Sequence, residues 1–124
     1  MNDLILSSLG HTWILDLDGT LVKHNGYLMD GKDELLEGTS LFLSKIPVDD
    51  MIIIITSRIE EYREITENFL NSKGIRYNHI IFGAPYGERI ILNDDKPSGL
   101  QMSYGISKQR DSREFPSVVI NDNV

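Results

Sequence analysis

Thr12-Trp13-Ile14-Leu15-Asp16-Leu17-Asp18-Gly19-Thr20 is the stretch on which the reading of this chain turns. Its first part is aliphatic, aromatic and β-branched, which predicts a buried strand over residues 12–17. Two carboxylates follow at i and i+2. Extended backbone directs alternate side chains to one side, so Asp16 and Asp18 share a face where the strand runs out. Gly19 then permits a sharp turn.

Similar runs recur further on. Residues 51–56, 79–83 and 89–93 read as strands, with a weaker candidate at 118–121. The first of these is almost unbroken isoleucine, which suits a central parallel strand covered on both faces. Helical patterns alternate with them. Residues 32–46 carry Leu35, Leu36, Leu41, Phe42, Leu43 and Ile46 around an interrupting Gly38-Thr39, with Thr39 or Ser40 as a cap and Pro47 as the stop. Residues 59–73 place Ile59, Tyr62, Ile65, Phe69 and Leu70 on one face, ending at Gly74. Pro97 and Ser98 open a further candidate reaching about Lys108. Asn25-Gly26 predicts a β-hairpin flap, with arms at 22–24 and 27–29, inside the interval from Leu21 to Asp30. Strands alternating with helices favour an α/β domain: a mostly parallel sheet in a three-layer, Rossmann-like arrangement with helices on both faces. The whole chain, 1–124, reads as one domain, without an internal repeat or linker.

Composition narrows the classes. A hydrophobic fraction of 40% and a charged fraction of 25% are ordinary for a soluble domain. The absence of cysteine excludes disulfides and thiolate metal sites. Neither a secretory leader nor an apolar run long enough to span a bilayer is present, so a cytoplasmic protein with no membrane partner is expected. A formal net charge of −7 argues against a nucleic-acid surface.

In open α/β sheets ligands collect at the carboxyl ends of the strands. There the sequence supplies Asp16 and Asp18, then Thr56-Ser57-Arg58, then Asp94-Asp95-Lys96. Carboxylates gathered from separate strands repel unless a cation joins them, and hard oxygen ligands suit Mg²⁺. An ionised Asp is a competent nucleophile toward phosphorus, and a second carboxyl can protonate the leaving oxygen and later activate water. Arg58, where a helix starts, meets the unfavourable end of the dipole, which points to an anionic partner. Each residue has a plainer role open to it: a turn for Asp16-Leu17-Asp18, a helix cap for Thr56, solvated surface for Asp95 and Lys96. The same edge collecting all of them favours chemistry.

Asp16-Leu17-Asp18-Gly19-Thr20-Leu21 resembles the first motif of the haloacid dehalogenase (HAD) superfamily, whose phosphatases share the pattern DxDGT. Residues 52–56 resemble its second motif, an apolar strand ending in Thr or Ser, and Leu92-Asn93-Asp94-Asp95 its fourth. The resemblance implies a Mg²⁺-dependent phosphomonoester hydrolase. Asp16 would be nucleophile and metal ligand, and Asp18 acid/base, with its carbonyl on Mg²⁺. Thr56 would hold the phosphoryl group with help from Gly19, Ser57 and Arg58. Asp94 would complete the metal site, with Asp95 in support or exchanging roles. The family's lysine between the third and fourth strands is missing from Ala84-Pro85-Tyr86-Gly87-Glu88. Lys96 is the expected replacement; Arg89 is expected to point away, and Lys73 lies in a helix. Both intervals used elsewhere in the family for cap domains are short, which implies a capless enzyme. A looser likeness of Thr56-Ser57-Arg58 and residues 93–99 to small phosphatases of bacterial capsule and lipopolysaccharide sugar pathways implies a sugar or polyol phosphate as substrate. Phosphorylated nucleic-acid ends, and a non-catalytic phosphate-binding or assembly role, are the alternatives. An open site also makes the tail from Arg110 to Val124 a candidate contact with a second copy in a homo-oligomer.

Overall fold

The computed structural model describes residues 1–29 and 31–123. The chain is a small α/β protein with two parallel sheets. In the larger, β2 (Thr12–Asp16), β3 (Met51–Ile55) and β4 (His79–Ile81) pair in the order β2-β3-β4. In the smaller, β1 (Asp3–Leu6) pairs with β5 (Ser117–Ile120). Helix α1 (Gly26–Met29) and helix α2 (Thr39–Ser44) lie between β2 and β3. Between β3 and β4 comes α3 (Arg63–Ser72), entered through a 3₁₀ turn at Glu60–Tyr62.

The register decides where chemistry can sit. Asp16 pairs with Ile55, and Ile55 with Ile81, so the three strands of the larger sheet end side by side. A buried polar knot sets the opposite end. Asp50, just before β3, accepts from the His11 N–H at 3.1 Å and from Trp13 Nε1 at 3.0 Å, and lies 2.8 Å from His11 Nδ1. Burial works to raise the Asp50 pKa, but the bonds from Trp13 and His11 outweigh it and hold the carboxyl below its ordinary value. Between the two ends Leu17, Leu21, Val22, Ile52, Ile54 and Leu70 form the centre of the core.

Several elements differ from expectation, each for a local reason. The flap is not a hairpin. Asn25 takes a left-handed φ of 55°, but its carbonyl accepts from the N–H groups of Leu28 and Met29, closing a helical turn. Tyr27 packs edge-on against Tyr62 at 4.9 Å, and this tertiary contact outweighs the hairpin signal. Asp30 and Val124, which ended the expected flap and tail, lie outside the described residues.

The helix expected over 32–46 is reduced to α2. Gly38 has φ 93°, and the space a side chain would need is taken by the Arg113 carbonyl oxygen at 3.1 Å and the Phe115 ring. No helix can run through that position. Thr39 is not a cap either: its hydroxyl is buried and donates to the Leu21 carbonyl at 2.8 Å.

α3 lies within the expected 59–73 but starts later, at Arg63, and its buried face is not the expected one. Thr66 and Leu70 are the buried pair, while Ile59 and Ile65 are exposed. Residues 89–93 form no strand: Ile90 and Leu92 are 89% and 99% exposed. A β-prone run becomes a strand only where an edge receives it, and here no ladder does so among the described residues. The helix expected from Pro97 is also absent, because Gly99 (φ 93°) closes a turn onto the Lys96 carbonyl instead. The C-terminal strand forms as expected, but its partner β1 was not foreseen. The tail therefore pairs with its own chain through β5. Among the described residues no helix is long and apolar enough to cross a membrane.

Candidate active site

Asp16 is the last residue of β2, and its side chain is 37% exposed. One carboxylate oxygen accepts from the Thr20 hydroxyl at 2.9 Å; the other accepts from Arg89 Nη1 at 3.1 Å. Between Asp16 and Thr20 the backbone turns tightly, with the N–H groups of Thr20, Leu21 and Val22 all donating to the Leu17 carbonyl. Gly19, at φ 83°, is the pivot of that turn. Thr56 follows β3 directly, one residue beyond Ile55, the register partner of Asp16. It is buried: its hydroxyl oxygen accepts from the Arg58 N–H at 3.1 Å, and its own N–H donates to the Ile81 carbonyl. The Ser57 hydroxyl makes a long contact to the Pro85 carbonyl at 3.4 Å.

Asp18 is held differently. Arg58 Nε and Nη2 donate to its two oxygens at 3.0 and 2.8 Å, a fork-on-fork pairing. The same guanidinium donates through Nη1 and Nη2 to the two oxygens of Asp33, at 3.0 and 2.6 Å, and through Nη1 to the Thr66 hydroxyl at 2.8 Å. A guanidinium has five N–H groups, and all five are committed. The Tyr27 ring lies 3.8 Å from Arg58 Cζ, closing the remaining face. Burial acts to lower the Arg58 pKa, but the bonds to Asp18 and Asp33 raise it above its already high ordinary value. Burial also raises the Tyr27 pKa, with the Asp18 charge adding to the effect.

This arrangement corrects the reading of Arg58 as a free anion binder. It also brings in residues the sequence reading passed over. Asp33 lay inside a supposed helix and Thr66 on a supposed helix flank. The available signal was an Arg placed unfavourably at a helix start, which calls for carboxylates nearby. The anions that Arg58 needs come from the protein itself, Asp18 and Asp33, rather than from a substrate.

The third expected corner is elsewhere. Asp94, Asp95 and Lys96 sit in an exposed irregular segment. There Asp95 accepts from the Met102 N–H at 3.3 Å, and the Lys96 backbone closes a turn with Gly99 and Leu100. Arg89, expected to point away, is the cation that reaches Asp16, because its segment never enters the sheet that would have oriented it. No ion pair joins Lys96 to the site among the described residues. Lys73 lies over the Phe69 ring, at the end of α3.

These positions bear on Mg²⁺. Among the described residues no three acidic or histidine side chains gather as a metal site. Both oxygens of Asp18 are taken by Arg58, and Asp16 is shared by Thr20 and Arg89. As arranged, the donor set does not fit a metal bound by Asp16, Asp18 and Asp94. The surroundings of Asp16 are open. A shallow depression over β4 and α3, lined by Ile53, Arg63, Tyr77 and His79 among others, includes neither Asp16 nor Asp18.

No family model, curated protein or solved structure matches the chain.

Proposed function

We propose that this chain hydrolyses phosphomonoesters through an aspartyl-phosphate on Asp16, as a capless, Rossmann-like member of the HAD superfamily acting on a sugar or polyol phosphate. The observation that carries the reading is the setting of Asp16. It is a carboxylate at the end of a parallel strand, open to solvent, steadied by Thr20, and faced by a guanidinium.

In the first step an Asp16 oxygen bonds to phosphorus as the ester P–O bond breaks, and the leaving oxygen takes a proton from Asp18. In the second, water attacks the phosphorus of the aspartyl-phosphate. Asp18 takes up its proton, and the bond to Asp16 breaks to release phosphate. Arg58 pairs with Asp18 as a carboxylate, so the acid role requires Asp18 first to take a proton from solvent on one of the lone pairs that Arg58 leaves open; water's proton in the second step restores that state. Arg89 offsets the charge that builds up as Asp16 and the phosphoryl oxygens approach. Mg²⁺ is expected from the sequence resemblance alone.

The test is a hydrolysis screen with Mg²⁺ against p-nitrophenyl phosphate and a panel of sugar, polyol, nucleotide and oligonucleotide phosphates. Turnover of sugar or polyol phosphates is expected, with Asp16→Asn inactive but as stable as the wild type. Inactivity of the wild type across the panel, or undiminished activity in Asp16→Asn, would overturn the reading.

A further inference from the structure

The Asp16 loop is clasped by a segment almost ninety residues away in sequence. Asp111 donates its N–H to the Gly19 carbonyl at 2.9 Å and accepts from the His24 N–H at 2.7 Å. Lys108 Nζ donates to the Thr20 carbonyl at 3.0 Å and to the Ser112 carbonyl at 2.7 Å, and sits 3.9 Å from the centre of the Phe115 ring. Phe115 in turn stacks on Phe42 at 4.9 Å, which ties the clasp to α2. Asp111 holds a left-handed φ of 61°, a conformation uncommon outside glycine that Asp tolerates better than most residues. The outcome of that bend is Arg110. Its stem lies directly on Gly19, with Cγ only 3.1 Å from where a Cβ on that glycine would stand.

The cations around the loop can be sorted by what they already hold. Arg58 has all five N–H groups engaged by protein oxygens. Lys108 is partly buried with two carbonyls in hand. Arg89 is paired with Asp16. Arg110 is exposed and makes no hydrogen bond or ion pair among the described residues. A chain with net charge −7 and two acids at the loop repels an anion, so a doubly charged phosphate needs an uncommitted donor at that place.

We propose that Arg110, carried onto Gly19 by the Lys108–Asp111 clasp, binds the substrate's phosphate group through its guanidinium. This rests on reading Asp16 and Asp18 as a phosphate-handling loop. It adds a binding residue from the C-terminal third that the sequence motifs do not contain.

The experiment reads binding apart from turnover. Inorganic phosphate is titrated into ¹⁵N-labelled protein while the Gly19 and Thr20 amide signals are followed, for the wild type, Arg110→Ala, Arg110→Lys and Arg113→Ala. Arg113 is an exposed control three residues on. Phosphate is expected to shift the loop signals in the wild type, and Arg110→Ala to weaken binding about tenfold, the loss of one charge-assisted donor pair. Arg110→Lys should fall between the two, and Arg113→Ala should match the wild type. Thermal melting should be alike in all four, so a weakened Kd is not a folding defect. A Kd for Arg110→Ala within about twofold of the wild type, or no loop response to phosphate in the wild type, would overturn the inference. The two readings separate cleanly. A wild type that binds phosphate through Arg110 but hydrolyses nothing removes the phosphatase and keeps Arg110. Turnover with an unchanged KM in Arg110→Ala does the reverse.

Discussion

Replacing Arg58 with methionine tests the centre of the site most directly. Methionine keeps much of the stem's volume and packing against Tyr27 while deleting the charge and all five donors. Two carboxylates are then left without their counter-ion: Asp33, whose side chain is 2% exposed, and Asp18, at 16%. Removing one partner of a buried ion pair costs about 3–5 kcal/mol, because the remaining charge stays buried and uncompensated. An exposed pair would give at most about 1 kcal/mol. Domains of this length are stable by roughly 6–19 kcal/mol, so the variant still folds but with a visibly lower denaturation midpoint. Urea denaturation followed by Trp13 fluorescence measures the difference. Asp33→Asn in the same assay should cost about 1–3 kcal/mol, and the double variant should cost less than the sum of the two, since they share one interaction. A loss below about 1 kcal/mol for Arg58→Met would refute the claim that this guanidinium holds the sheet edge together.

Three further outcomes are expected. Gly38→Ala should destabilise by about 1–3 kcal/mol, since φ 93° strains alanine and its Cβ would stand 3.1 Å from the Arg113 carbonyl oxygen; equal melting temperatures would contradict it. The Asp50 carboxyl is held below its unfolded value of about 3.9, so its contribution is complete above that pH and is lost as pH falls through the folded value. Wild-type melting temperature should accordingly drop more steeply than that of Asp50→Asn from about pH 4 downward, and parallel curves would remove Asp50 as the cause. In the hydrolysis assay Arg89→Gln should lower kcat/KM by about tenfold or more while Lys96→Gln stays within about twofold, and the opposite order would restore Lys96 as the cation facing Asp16.

What the sequence made legible follows from how far each signal reaches. The β2 and β3 runs are apolar enough to fix their own conformation and their place in the core, and both appear within a residue or so of expectation. The ends of these strands bring Asp16 level with Ile55, the residue before Thr56. Signals that need a partner fared worse. Residues 89–93 have strand-forming side chains but receive no edge, and Asn25-Gly26 has hairpin chemistry overridden by Tyr27 packing. β1 was not legible: Leu4, Ile5 and Leu6 are all apolar, so only the fold shows that Leu4 and Leu6 turn inward while Ile5 is exposed. Asp33 was beyond reach: nothing local to it says that an arginine twenty-five residues on will come to rest against it.

The same residues explain why the cations at this site divide into two groups. Arg58 joins five pieces of chain: Asp18 after β2, its own turn after β3, Tyr27 on α1, Asp33 ahead of α2, and Thr66 on α3. That network balances the protein's own acids and, with every donor used, has nothing left for an incoming anion. Arg89 and Arg110 come instead from the C-terminal third, which lies over the loop without entering the larger sheet. A cation on such a segment can shift toward a ligand without breaking the core, whereas Arg58 cannot. On the proposed function, the charge that stabilises the site, on Arg58, is thus separate from the charge that can meet a phosphate: among the described residues Arg110 is uncommitted and Arg89 has only Asp16 to let go. Activity should accordingly respond to Arg89 and Arg110 at little expense in stability, whereas stability should respond to Arg58 first.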